Sequence, residues 1–309
     1  MTFLSVLFAL ILEHYLSLRR RDRIVDPFLR WCDFLRRVLD AGTVRHGTLA
    51  WCLAVLPVLV LGLLLQPLAA WAGGAVLVWV VYVLVLVAII DFRTLSERLA
   101  TLGSSLRADR LAEAAAAIET WEGAPLPGEF DRAGLSSRAI QLALLHAHWS
   151  VLTPILWFAL LPGASGPLLY CATRALREHW RTRGGETGDF GWFADRSLQL
   201  LDWLPARMTA LSFAVVGNFE ESMYCWRHQT QTEPEDSGRV VLAAGAGAIG
   251  VHFEPSPALP YGIVNGDLGA GDFPGAEHLQ NAEGLLARTL VFSVVVLGLL
   301  TLAGWLGNA

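Results

Sequence analysis

The 44 residues from Gly47 to Ile90 contain no Asp, Glu, Lys, Arg or His, and Leu, Val, Ala and Trp fill most of them. A bilayer core of about 30 Å accommodates roughly 20 apolar residues as a helix, so a run of this length predicts two membrane spans and a turn. The dipeptide Gln66-Pro67 interrupts the run and Gly73-Gly74 restarts it. We therefore expect a helical hairpin with spans at 48–67 and 73–90, whose outer ends lie at the same membrane face.

Composition extends this conclusion to the whole chain. Its 309 residues are 54% hydrophobic and 17% charged, with a mean hydropathy of +0.47, which is too apolar for a soluble domain of this length. A net charge of −5 argues against a nucleic-acid partner. All 23 basic residues are Arg, which excludes a Walker-A lysine and any lysine nucleophile. The four cysteines show no ligand spacing, so we expect buried thiols and no metal site.

These features predict an all-α fold: a polytopic α-helical membrane protein with four or five transmembrane helices plus amphipathic and re-entrant segments. We treat 1–309 as a single integral-membrane domain. The expected membrane segments are 2–18, 48–67, 73–90, 139–161 and 289–305. A tight turn at Pro162 and Gly163 makes 139–176 a candidate span followed by a re-entrant piece.

Charge distribution sets the expected topology. The segment 19–46 holds eight Arg residues, so the positive-inside rule places it in the cytoplasm together with 91–138.

Within the segment 19–46, Asp26 is a candidate N-cap of a helix, Pro27 suits its first turn and Gly42 suits its C-terminal end. We expect an amphipathic helix there, lying in the headgroup plane or on a neighbouring helix. The predicted location is the bacterial inner membrane, multi-pass, with membrane lipid as a partner and a small-molecule ligand or a homo-oligomer as further candidates.

Two motifs have a structural and a functional interpretation. Gly245, Gly247 and Gly250 satisfy G-x-G-x-x-G, but three prolines follow where a dinucleotide site needs a helix, so we favour close helix packing. His146 and His148 lie two residues apart and would point to different faces of a helix, which favours structural histidines over metal ligands.

Two polar segments are candidate ligand sites. Arg174 and Arg177 belong to a basic cluster that follows an apolar run, which fits an interfacial anchor or a site for an anionic ligand. In the loop 254–275, Asn265, Gly266, Asp267 and Asp272, together with nearby Glu277, are candidate ligands for a hard cation or a polar molecule, although a solvated loop is the simpler interpretation.

The stretch Asp202-Trp203-Leu204-Pro205-Ala206-Arg207-Met208 resembles the signature of the CobD/CbiB family, membrane proteins of cobalamin biosynthesis. Three other stretches resemble family segments, and together they cover nearly the whole chain: Leu106-Arg107 with Leu111 to Ala114, Thr153-Pro154 with Gly163, Gly166 and Tyr170, and Ala244 to Gly250. The resemblance implies ATP-dependent amide formation between an aminopropanol unit and adenosylcobyric acid, with Mg²⁺ and ATP bound.

The chain departs from the family at positions that would carry this chemistry. Leu145 to Trp149 stands where the family has an Asn- and acid-rich motif, and Leu198 with Gln199 replaces an acidic pair. Carboxylates for Mg²⁺ are the part of such a site that is hardest to replace. The chain shows Leu201-Asp202-Trp203 with Pro205 and Arg207, and then Gly217, Glu220 and Trp226. With these residues it resembles the related AmpE branch, described as membrane sensors, at several of the departures.

The sequence thus leads to one main hypothesis and two alternatives. We expect a multi-pass protein of the CobD/CbiB superfamily that acts as an AmpE-like sensor without catalysis, with its catalytic residues and cofactors unknown. Asp202 and Arg207 are the first ligand-binding candidates, and an ion pair between them is the structural alternative. The second hypothesis is a divergent cobalamin-biosynthesis ligase. A transporter or channel is the third hypothesis, and the sequence shows no internal repeat that would support it.

Overall fold

The computed structural model of the chain describes residues 2–15, 21–126, 128, 130–184, 188–231, 233–254, 256–259, 262–264 and 267–307. Within these ranges nearly all regular structure is helical, which confirms the all-α fold class. The helices are α1 Thr2–Tyr15, α2 Arg21–Leu39, α3 Val44–Ile89, α4 Phe92–Arg107, α5 Leu111–Glu122, α6 Arg132–Ala147, α7 Thr153–Leu160, α8 Ser165–Gly184, α9 Gly188–Val216, α10 Phe219–Gln229, α11 Ser237–Ile249 and α12 Ala276–Leu306. A π-helical turn, His148–Leu152, joins α6 to α7.

Contacts within the chain divide it into two compact units. Unit 1 comprises Met1–Asp91, Thr153–Asp202 and Leu297–Ala309, and unit 2 comprises Phe92–Leu152 and Trp203–Val296. Each is described by itself below, and the single integral-membrane domain stays a prediction.

Unit 1 contains the predicted hairpin. The backbone of α3 leaves the helical region at Gly73 (φ −155°, ψ 18°) and Gly74 (φ 64°, ψ −158°). A Cβ atom placed on Gly163 would lie 3.0 Å from the Tyr82 hydroxyl and 3.5 Å from the Gln66 side-chain oxygen. In a straight helix, Gln66 and Tyr82 would be about 24 Å apart along the axis. The chain therefore turns back at the glycine pair, and its two arms lie side by side.

The position of this turn corrects the predicted span boundaries. We expected an interruption at Gln66-Pro67, but the first arm of α3 begins at Val44 and continues through Pro67. A proline keeps φ near −65°, which a helix accommodates at the loss of one hydrogen bond. The reversal needs the left-handed backbone conformation that Gly74 supplies, because a glycine carries no Cβ to oppose it.

The amphipathic helix α2 begins earlier than predicted. Its first residue is Arg21, so Pro27 lies inside the helix and Asp26 is not its N-cap. Cys32 and Leu35 are buried in a cluster with residues of α3 and α8. Trp31 and Phe34 stack on each other and remain exposed. One face of α2 thus packs on neighbouring helices.

Three helical segments in the described part of the chain are long and apolar enough to cross a membrane: Val44–Arg107, Arg132–Leu160 and Ala276–Leu306. The second begins at Arg132, where α6 starts, and not at 139, and it continues through the π-helical turn into α7. The third contains the predicted span 289–305. Helix α1 is apolar but shorter. The count of four or five spans and their orientation stay predictions.

Unit 2 is built around α11, on which α6, α9 and α10 pack. A Cβ atom on Gly247 would lie 2.6 Å from the backbone oxygen of Glu221 in α10, and one on Gly245 would lie 2.7 Å from the Leu144 side chain in α6. The glycines therefore permit close helix packing, as predicted, and Val240 to Ala244 form a helix and not a strand.

The loop after α11 contains short strands that the sequence did not predict. β1 (His252–Phe253) pairs antiparallel with β4 (Leu268–Gly269), and β2 (Ser256–Leu259) pairs with β3 (Gly262–Val264). Two-stranded ribbons of this length carry no hydrophobic periodicity that a sequence pattern could reveal.

Candidate functional site

In unit 1, helix α8 and the N-terminal part of α9 run antiparallel and meet along a line of polar side chains. The Tyr170 hydroxyl donates a hydrogen bond to the Asp202 carboxylate at 3.0 Å. The Arg177 guanidinium donates to the Asp195 carboxylate at 2.7 Å. The two contacts are seven residues apart on each helix, or about 10.5 Å along the axis. We call this line of polar residues the α8–α9 seam.

Arg174 lies between these two contacts on α8, one turn from each. Its charge acts on the Tyr170 hydroxyl, as does that of Asp202. Tyr170 is fully buried and Asp202 is 7% exposed. A carboxylate at this depth is stable only with hydrogen bonds or a countercharge. The structure therefore places Asp202 on the same seam as Arg174 and Arg177, which the sequence predicted as a separate basic cluster.

Thr173 adds a group to the seam region that the sequence did not reveal. Its side chain is fully buried, and its hydroxyl has no hydrogen-bond partner among the residues that the structure describes. A helical threonine usually bonds a carbonyl one turn earlier, and buried polar groups without partners are uncommon. The Thr173 hydroxyl, next to Arg174 in the sequence, therefore has hydrogen-bonding capacity that none of the described residues uses.

Near the Asp202 end of the seam, the backbone carbonyl of Leu201 has a hydrogen-bond donor from outside its own helix. Pro205 has no N–H, so the Leu201 carbonyl lacks its normal helical donor. The indole N–H of Trp157 in α7 donates to this carbonyl at 3.1 Å. The Leu-Pro dipeptide of the family-like motif therefore creates an acceptor that a tryptophan from another helix occupies.

Arg207 lies in unit 2, near the protein surface. Its guanidinium donates to the carbonyls of Trp203 and Pro234, both at 2.9 Å, and stacks over the Trp203 ring at 4.0 Å. Desolvation lowers the pKa of Arg207 from its ordinary value. Among the described residues no carboxylate forms an ion pair with it. The side chain is held in place by neutral acceptors and a ring.

The two candidate acids of the 254–275 loop have different surroundings. Asp267 lies 3.6 Å from the His252 ring nitrogen. Asp272 is exposed, and its backbone pairs with Gly250 and His252. Among the described residues, no three acidic, His or Cys side chains gather in a way that could hold a metal ion. Asn265 and Gly266, which belong to the predicted cation site, lie outside the described residues.

The two histidines of the predicted span have separate partners in unit 2. His148 Nδ1 lies 2.9 Å from the Thr209 hydroxyl, and both side chains are buried. The His146 ring makes an edge contact with Trp121. The prediction that they point to different faces is confirmed.

A buried ion pair in unit 2 is a polar feature that sequence reasoning missed. Arg138 forms a bidentate contact with Glu122, in which Nη2 and Oε2 are 2.8 Å apart, and both side chains are almost fully buried. The sequence assigned both residues to a cytoplasmic segment and therefore did not predict that they are buried. A signal was present, because Arg138 lies at the start of the apolar run of α6.

Comparisons with known proteins agree on one family. The profile of the family described as CobD/Cbib protein matches residues 6–285. A Stutzerimonas stutzeri protein named cobalamin biosynthesis protein CobD is 31% identical over 312 residues, covering 98% of each chain. A protein of the same name from Chromobacterium violaceum is 34% identical over 52% of this chain and 51% of its own length. Another, from Rhodobacter capsulatus, is 25% identical over 86% of this chain and 81% of its own length. No solved structure matches the chain.

Proposed function

This chain belongs to the CobD/CbiB family, and we propose that it performs the membrane step of cobalamin biosynthesis in which an aminopropanol unit is joined to adenosylcobyric acid. In such a step a carboxyl group and an amine form an amide with loss of water, coupled to ATP hydrolysis. The family resemblance implies this reaction.

One observation carries the proposal: the match to the Stutzerimonas stutzeri protein extends over 98% of both chains. The match therefore covers both compact units of this chain. The names of the three relatives favour a biosynthetic role over the AmpE-like sensor that the sequence departures led us to expect. The sensor role remains the alternative that a negative result would support.

We propose the α8–α9 seam as the part of unit 1 that contacts substrate. Arg174 and Arg177 are suited to bind phosphate or carboxylate groups, since a guanidinium presents paired donors to an anion. Tyr170 and Asp202 would hold the seam in one geometry through their buried hydrogen bond. In unit 2, Arg207, Asp267 and Asp272 stay candidate binding residues.

The fit to Mg²⁺ is poor among the described residues. The seam carboxylates Asp195 and Asp202 already accept hydrogen bonds from Arg177 and Tyr170, and neither belongs to a group of three or more Asp, Glu, His or Cys side chains that could hold a metal ion. Octahedral Mg²⁺ prefers carboxylates that are free to coordinate it. We therefore assign no step of the reaction to a metal held by these side chains.

Complementation tests the proposal. The gene is expressed in a strain that lacks its own CbiB and is grown on adenosylcobyric acid, with membrane expression verified. We expect growth with the unaltered protein, loss of growth with Arg174→Ala and retention with Arg196→Ala, a matched change at an exposed arginine of α9. No growth with well-expressed unaltered protein would overturn the biosynthetic role. Equal growth with both variants would remove Arg174 from the site.

A further inference from the structure

The half of α9 that lies in unit 2 has two contrasting faces. One face is packed in the interior of the unit through Ala206, Thr209, Ala210, Phe213 and Ala214, all of which are buried. The other face exposes large apolar side chains at helical spacing: Trp203, Leu204, Met208, Leu211 and Val215. A contiguous apolar surface of this kind marks a contact with a membrane or with another protein. We call it the α9 stripe.

The α9 stripe is too short to cross a bilayer. From Trp203 to Val215 it extends about 18 Å along the helix, against a hydrocarbon thickness of about 30 Å. An apolar helical face of this length that cannot span is typical of a helix lying in the membrane interface.

A charged or aromatic side chain suited to the membrane–water interface lies at each end of the α9 stripe. At the first end, the Arg207 guanidinium stacks on Trp203 and bonds the Pro234 carbonyl, in a loop that also carries Glu233 and Glu235. Tryptophan and arginine at such a position are typical of the membrane–water interface. These groups keep the first end close to water.

At the second end, Arg288 of α12 donates to the Val216 carbonyl at 3.0 Å. Arg288 is the last charged residue before the apolar part of α12, so it marks the level at which that helix leaves water. Val291 and Val295, just beyond it, are exposed on a helix long and apolar enough to cross a membrane. The α9 stripe is therefore joined at its end to a surface that faces lipid.

We propose that the C-terminal half of α9 lies in the plane of the membrane interface, with the α9 stripe buried among lipid acyl chains. This partner follows from the two interfacial anchors and from the link to α12. A second copy of the chain would also cover the stripe, but it would not account for a charged or aromatic anchor at both ends.

Depth-dependent fluorescence quenching tests this proposal. Met208→Cys and Leu211→Cys are made in a background in which Cys52 and Cys171 are replaced by Ala, and the thiols carry an environment-sensitive fluorophore. The protein is reconstituted in phosphatidylcholine and phosphatidylglycerol vesicles containing lipids with a nitroxide near the top of the acyl chain. Val291→Cys is the lipid-facing control, and Thr120→Cys, on the exposed polar face of α5, is the water-facing control.

We expect both α9 probes to lose fluorescence with nitroxide lipid as strongly as the Val291→Cys probe, and to resist quenching by aqueous iodide. Quenching like that of Thr120→Cys would overturn the proposal. Protection from both quenchers, together with disulfide or bimane cross-linking between two Met208→Cys chains, would assign the stripe to a second copy and would equally overturn it. Melting curves matching the parent confirm that each variant is folded.

Discussion

The indole N–H of Trp157 donates to the carbonyl of Leu201, and that carbonyl is available because Pro205 has no N–H to bond it. The contact joins α7 to α9 within unit 1. A proline that would weaken an isolated helix thus provides a specific point of attachment for another helix.

The same arrangement occurs a second time in unit 1. Pro57 in α3 leaves the carbonyl of Leu53 without its helical donor, and the indole N–H of Trp31 in α2 donates to it at 3.2 Å. In a medium without water to satisfy backbone groups, a free carbonyl inside a helix needs such a partner. Two prolines inside helices, Pro57 and Pro205, are therefore each matched by a tryptophan from a neighbouring helix.

Replacing Trp157 with Phe should reduce the free energy of unfolding by about 1 kcal/mol, because the Leu201 carbonyl loses its donor. The measurement is thermal or denaturant unfolding of the purified protein in detergent. Trp71→Phe is the control, since Trp71 is 88% exposed and should leave stability unchanged.

A double-mutant cycle makes this prediction specific. In Pro205→Ala the backbone N–H of residue 205 can satisfy the Leu201 carbonyl, so Trp157→Phe should then cost little. An undiminished cost in the Pro205→Ala background would show that Trp157 acts through packing and not through this hydrogen bond.

Removing the Tyr170 hydroxyl should destabilise unit 1 more strongly. Tyr170→Phe takes a donor from the buried carboxylate of Asp202, and hydrogen bonds to charged groups contribute about 1.5–3 kcal/mol. The matched control is Tyr224→Phe, because the Tyr224 side chain is exposed. Equal melting temperatures for the two variants would contradict the role given to this hydrogen bond.

Two glycines inside helices should respond in opposite ways to substitution by alanine. At Gly247 the new Cβ would lie 2.6 Å from the Glu221 backbone oxygen, so α10 and α11 must separate and stability should fall. At Gly284 no atom outside the adjacent backbone of its own helix lies within 4 Å of the new Cβ, so Gly284→Ala should stabilise α12 by about 0.5–1 kcal/mol. Unfolding curves of both variants check the contrast, which fails if they shift in the same direction.

Cys32 and Cys225 should resist alkylation in the folded protein. Burial raises the pKa of Cys32 to about 12 and that of Cys225 to about 11, so both thiols stay protonated at pH 7.5. The thiolate is the reactive form. Mass spectrometry after a short iodoacetamide pulse should find both unmodified in detergent micelles and modified after denaturation. Rapid modification of either residue in the native protein would place it in a different environment.

The sequence predicted the fold well where a single physical effect decides the structure. The uncharged run 47–90 had no alternative to the membrane, and Gly74 could adopt a backbone conformation that ordinary residues avoid. The exact turn was missed because Pro67 looks like a helix breaker but is compatible with the α3 backbone. The start of α2 was missed because Asp26-Pro27 matches a capping pattern that the preceding residues override by continuing the helix.

Candidate site residues were harder to group from sequence. Arg174 and Arg177 were predicted in one basic cluster and Asp202 in another segment, and their placement on one seam depends on the antiparallel packing of α8 and α9, which no local pattern encodes. The partner of the Leu201 carbonyl was deducible in part, because Pro205 requires a donor from elsewhere. That Trp157 supplies it depends on tertiary structure.

The most direct test of the biosynthetic role is product formation by the purified protein in lipid nanodiscs. Adenosylcobyric acid, aminopropanol or its phosphate, ATP and Mg²⁺ are supplied, and mass spectrometry follows the corrinoid species. We predict a new species whose mass equals the sum of the two organic substrates less one water, formed only when ATP is present. Unchanged adenosylcobyric acid after prolonged incubation with folded protein would contradict the account.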